Sequence, residues 1–93
     1  MLTDSPQIDL RPKNQKVDEN GQVSARCEAK GFPSPIIKWV KLLGNKLVRN
    51  GTSSLFIQNV QRSDHGWYRC IASNGFGDDA IAEFEINGYC KLN

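Results

Sequence analysis

An all-β, two-layer sandwich is the fold class this sequence predicts, and three observations carry it. Apolar residues recur at every second position in several short segments, which is the period of a half-buried strand. Turn-forming dipeptides and prolines fall between those segments. No segment carries apolar residues at helical spacing. Short strands separated by regularly placed turns fit a sandwich better than any helix-containing architecture.

Each element follows in order. Residues 1–6 are mostly polar and read as a start or linker ahead of the domain, which occupies 7–87. Gln7-Ile8-Asp9-Leu10 alternates and stops at Arg11-Pro12. A short segment opens at Val17 and turns at Asp18-Glu19-Asn20-Gly21. Val23, Ala25, Cys27 and Ala29 alternate with Ser24, Arg26 and Glu28, a strand with one buried face. Gly31-Phe32-Pro33-Ser34-Pro35 reads as a loop, because two prolines cannot donate to a ladder. Ile36 to Lys41 is a strand carrying Trp39, and Gly44-Asn45 and Asn50-Gly51 are turn dipeptides. Ser54 to Val60 and Trp67 to Ser73 are strands, the latter followed by the turn Asn74-Gly75-Phe76-Gly77. Ala80 to Ile86 closes the set with Ala82, Phe84 and Ile86 on one face.

Composition bounds the function classes. The 93 residues are 39% hydrophobic, enough for one core and too few for a two-lobed enzyme. A formal charge of +2 is far from that of a dedicated nucleic-acid binder. No apolar run reaches 18 residues, so the fragment carries no helical membrane span and no direct membrane insertion is expected. Chemistry is not expected either. Ser63-Asp64-His65 holds the residue types of a catalytic triad, but adjacent turn residues do not converge on one atom. Glu83 and Glu85 share one side of a strand and read as solvated charges. No phosphate loop, nucleophile elbow or zinc-protease motif occurs, so no catalytic residue, metal or cofactor is assigned.

The cysteines are Cys27, Cys70 and Cys90. None are close enough in sequence for a metal or redox motif. The wide Cys27–Cys70 separation suits a disulfide across a core in an oxidising compartment, and two reduced core thiols are the alternative. Cys90 is left over: a free thiol, an intermolecular partner, or the first cysteine of a following module.

Cys27, then Trp39, then Asp64-x-Gly66-x-Tyr68-x-Cys70 resembles the immunoglobulin superfamily, in particular its I-set or C2-like branch. The resemblance runs from about residue 7 to 87. It implies a Greek-key sandwich stapled by Cys27–Cys70, with Trp39 packed on the sulfurs and Tyr68 closing a tyrosine corner. Asp64 suits the turn before that corner, and Gly66 leaves room for tight backbone there. The stretch between Trp39 and Leu55 is short for the family, so strand D is expected to be short or absent. Such modules belong to extracellular adhesion molecules and cell-surface receptors. They also occur as scaffold domains of muscle and cytoskeletal proteins. The end at Gly88-Tyr89-Cys90 reads as a linker, similar in placement to the start of the frizzled-like domain in muscle-specific receptor kinases.

Alternation then sorts the faces. If Trp39, Tyr68, Cys70, Phe84 and Ile86 point inward, Ile36, Lys38, Val40, Trp67, Arg69, Ile71, Ile81, Glu83 and Glu85 point outward. In the family this resembles, the strands carrying them are neighbours. One outer face is therefore expected to show an apolar centre of Trp67, Ile71, Val40, Ile36 and Ile81 inside a charged rim, suited to a protein partner, homophilic or heterophilic, or a neighbouring domain. The competing reading is Trp67 lying under Arg69 or Lys38 as a cation–π pair. Lys38, Lys41, Lys46 and Arg49 form a candidate heparan-sulfate patch, with ordinary solubilising charge as the alternative. Asn50-Gly51-Thr52 is an N-glycosylation sequon and equally a hairpin signal.

Overall fold

The strands assemble into two packed sheets in the computed structural model, which describes residues 2–88. Cys90 and its proposed partners lie outside the described residues. The first layer holds β1 (Asp4–Leu10), β3 (Val23–Arg26), β4 (Glu28–Phe32) and β7 (Ser54–Ile57). β1 pairs with β4 and β3 with β7, both antiparallel. β3 and β4 are one run interrupted at Cys27, whose amide donates across to Ser53 O at 2.9 Å. The second layer holds β2 (Gln15–Lys16), β5 (Ile36–Lys41), β6 (Lys46–Asn50), β8 (Gly66–Ser73) and β9 (Ala80–Asn87), in the order β2-β9-β8-β5-β6. β2 joins β9 in parallel and the rest are antiparallel.

The chain passes from β6 to β7 without an intervening strand, so the expected loss of strand D is what the described residues show. The residues of that short stretch form β6 as the fifth strand of the second sheet. Several boundaries differ from the sequence reading: β2 ends at Lys16, just before the segment read from Val17, and β7 ends at Ile57, short of Val60. β1 begins at Asp4, and its register is irregular between Asp4 and Gln7, where the buried Pro6 sits. A proline is tolerated on an edge strand at such an irregularity. Gly31 and Phe32 belong to β4, with Phe32 paired to Asp4, so the loop begins only at the Phe32–Pro33 bond, which is cis.

The core lies between the layers. Val23, Ala25, Cys27 and Leu55 from the first sheet meet Ile37, Trp39, Tyr68, Cys70, Ala72, Ala82, Phe84 and Ile86 from the second. The Cys27–Cys70 disulfide spans it with a Cα–Cα distance of 6.5 Å. Trp39 is the cross-strand partner of Cys70, meets Phe84 edge-on at 5.8 Å between ring centres, and donates from its indole nitrogen to Thr52 O at 2.8 Å. Phe84 stacks on Tyr68 at 5.6 Å. A buried indole N–H needs such an acceptor, and Thr52 supplies it from the turn after β6.

Tyr68 closes the corner the sequence suggested: its hydroxyl donates to Asp64 O at 2.6 Å. Asp64 has a second task, since its carboxylate accepts the Gln61 amide at 2.8 Å and caps the single 3-10 turn Arg62–Asp64. The role expected of Gly66 changes. A Cβ there would meet nothing closer than 3.8 Å, whereas its φ is +135°. Glycine is required for that backbone conformation and not for space.

Candidate protein-binding face

Cross-strand partners share a face of a sheet, so the register writes out the exposed surface of the second layer row by row. Ile36 lies opposite Ser73. The next row runs Asn50, Lys38, Ile71, Ile81 across β6, β5, β8 and β9. The row after it runs Leu47, Val40, Arg69, Glu83. Trp67 stands beyond Arg69, opposite Glu85. Residues read from the sequence as outward on three strands are thus brought onto one surface.

Their arrangement departs from the expected apolar centre and charged rim. Arg69 donates from Nε to Glu83 Oε2 at 2.9 Å and from its terminal nitrogen to the same oxygen, and this pair sits mid-face. Together with Lys38 it divides the apolar residues into two groups. One group, Ile36, Ile71 and Ile81, is at the end bearing the β8–β9 turn. The other, Leu47, Val40 and Trp67, is at the opposite end.

Val40 corrects a second expectation. It was placed among the accessible contact residues, but it is only 6% exposed. It is absent from the core cluster, so it is covered from the outer side. Leu47 and the stem of Arg69 are directly opposite it, and the Trp67 ring lies at diagonal reach. Val40 therefore supports its neighbours, while Leu47 (53% exposed) and Trp67 (47%) stand up on either side. Leu47 was missed by the sequence reading, because no strand was assigned between Lys41 and Ser54. The apolar pair Leu47-Val48, which follows a glycine-asparagine turn and precedes the Asn50-Gly51 turn, was the available signal.

Trp67 has Arg69 as its outward neighbour, but that guanidinium is turned to Glu83. The cation–π contact recorded among the described residues joins Lys41 to Tyr68 instead, at 5.9 Å.

The four basic residues do not form one patch. Lys38 shares the outer face with Asn50, while Lys41 and Lys46 are opposite each other, as are Trp39 and Arg49, on the side that faces the first layer. The Lys41 ammonium also donates to Ser63 O, which ties it to the turn. Ser63-Asp64-His65 does not converge either. Asp64 is engaged by Gln61 and Tyr68, and the His65 ring lies 3.1 Å from Val17 O.

A family model described as "Immunoglobulin domain" matches residues 5–74. The chain is an immunoglobulin domain. Among curated relatives, it is 35% identical over 83 residues to hemicentin-1 of Mus musculus, covering 84% of this chain and 2% of that protein. It is 33% identical to the cell adhesion molecule Dscam2 of Drosophila melanogaster, covering 77% and 4%. Protein amalgam of the same organism is 40% identical, covering 81% and 24%. This immunoglobulin domain thus spans a small part of each relative. Among solved structures, the N-terminal two-domain immunoglobulin module of the Drosophila receptor protein tyrosine phosphatase DLAR superposes with a TM-score of 0.81 at 33% identity, covering 92% of this chain and 50% of that one. A chimeric titin Z1Z2 chain superposes at 0.83 with 23% identity, covering 98% and 100%, a likeness of fold alone.

Proposed function

We propose that this immunoglobulin domain is an extracellular, non-catalytic recognition module that meets a protein, another kind of chain or a second copy, through the β9-β8-β5-β6 face. The observation that carries this reading is the exposure of Trp67 and Leu47 on either side of the buried Val40. Core packing does not require a large aromatic and a leucine in water at those positions, and an aromatic beside an arginine is the composition of an interface anchor. Relatives named as cell adhesion molecules and the Cys27–Cys70 bridge, which persists in oxidising compartments, support an extracellular setting. The division of Lys38 from Lys41, Lys46 and Arg49 argues against heparan sulfate as the main ligand.

Secreted wild-type domain and the Trp67→Ser variant, compared by sedimentation for self-association and by capture of cell-surface proteins, test the reading. Loss of association in the variant, with an unchanged circular dichroism melt, is the expected result. Equal association by both proteins overturns it. On immobilised heparin the domain is expected to elute below physiological salt.

A further inference from the structure

We infer that Asn50 carries an N-linked glycan whose first sugar lies in the open depression between β5, β6 and the β8–β9 turn, covering Ile36 and Ile71 and leaving the Trp67 end of the face to proteins. This rests on the extracellular reading above, and it divides the same face between two occupants.

Asn50-Gly51-Thr52 is the one Asn-x-Ser/Thr sequence in the chain. Asn50 ends β6, is exposed, and shares the outer face with its cross-strand partner Lys38. Gly51 follows with φ +83° and donates its amide to Ile37 O at 2.8 Å, so the turn fixes the backbone from which the Asn50 side chain leaves. Asn50 lines a depression of about 440 Å³, together with Ile36, Lys38, Ile71, Ser73 and Asp79. The volume falls in the range of small-molecule sites.

The lining matches a pyranose. A sugar ring has an apolar C–H face and a hydroxyl rim. Ile36, 63% exposed, and Ile71 offer apolar surface for the face, while Lys38, Ser73 and Asp79 offer donors and acceptors to the rim. Tethering converts a weak sugar–protein contact into an intramolecular one, so little intrinsic affinity is needed. The upper apolar group of the face thereby gains a cover made by the chain's own modification. Leu47 and Val40 lie one row away, level with the Arg69–Glu83 pair, and Trp67 lies a further row on.

The attachment needs a lipid-linked oligosaccharide diphosphate donor and its membrane transferase. The Asn50 amide nitrogen bonds to C1 of the first sugar, the bond from C1 to the diphosphate oxygen breaks, the lipid diphosphate leaves, and the amide proton passes to a base.

The test is expression of the domain behind an added secretion leader in eukaryotic cells. Intact mass is measured before and after an N-glycan amidase, with Asn50→Gln as control and Thr52→Ser as a variant that keeps the sequon. The expected result is a one-glycan mass shift in wild type and Thr52→Ser and none in Asn50→Gln. No shift in wild type overturns the site. Placement is read on protein trimmed to a single N-acetylglucosamine and labelled at isoleucine and leucine methyls. Sugar-to-methyl cross-relaxation at Ile36 and Ile71, with Leu47 methyls unchanged from Asn50→Gln, is expected. A glycan without contact to those isoleucines overturns the placement. The added leader supplies the secretory route whatever the native setting, and Trp67-dependent association is scored separately on the same samples. Absence of a protein partner therefore counts against the proposed function and not against the sugar.

Discussion

Along β8, Tyr68, Cys70 and Ala72 are at most 1% exposed, while Trp67, Arg69 and Ile71, one step away on the same backbone, remain partly in water. The inward residues are over-determined. Tyr68 alone stacks on Phe84, donates to Asp64 O and carries Lys41 over its ring. The outward residues are held by one ion pair and by the covering of Val40. The contrast separates what the fold demands from what it permits. Substitutions on the inner face should act on stability, and those on the outer face on association.

The sharpest way to break that contrast is Phe84→Ala, which removes the ring between Trp39 and Tyr68. A loss of about 3–5 kcal/mol is expected in urea unfolding, and a loss below 1 kcal/mol would mean the core is not organised around that ring. Replacing Cys27 and Cys70 together by Ala comes next, at about 2–4 kcal/mol.

The Tyr68 hydroxyl sharpens the contrast through pH. Burial first, and the Asp64 charge second, push its pKa from 10.0 up to about 12. The folded state thus holds this proton more tightly than the unfolded chain. Its contribution is fully present below pH 10 and is lost as pH rises through about 12. The loss across that window is about 2–3 kcal/mol. Tyr68→Phe should cost about 1 kcal/mol at neutral pH by removing the hydrogen bond to Asp64 O, and should flatten the decline above pH 10. A variant that declines as steeply as wild type would show that another group is responsible.

The smallest effects belong outside. Trp67→Ser should shift stability by about 0.5 kcal/mol or less while removing association. A double-mutant cycle on Arg69 and Glu83, both partly exposed, should give about 0.2–1 kcal/mol. A coupling of several kcal/mol would mean the pair is structural after all.

Much of the inner architecture was legible in the chain. The Cys27, Trp39, Tyr68 and Cys70 spacing was legible as a core signature through its resemblance to the immunoglobulin superfamily. The outward set followed from period-two alternation, which needs no knowledge of neighbours. What was not legible was which residues come level across neighbouring strands. Val40 was assigned to the right face, but it is buried, and Leu47 and Arg69 come level with it only when β6 and β8 flank β5. The ion pair that splits the apolar surface exists because Arg69 and Glu83 come level across β8 and β9. The four basic residues look like a cluster along the chain, yet pairing sends Lys38 to one side and Lys41, Lys46 and Arg49 to the other.

By itself, then, the sequence determined the alternating strands, the turns between them and the side of the sheet to which each strand residue points, because periodicity and turn chemistry are local properties of the backbone, while the disulfide and the tyrosine corner were implied by the resemblance to the immunoglobulin superfamily. Only the tertiary structure decided which outward residues are level with one another, which are covered, and where a depression opens beside Asn50. Those depend on the register between strands distant in sequence, and register is set by packing of the whole core at once.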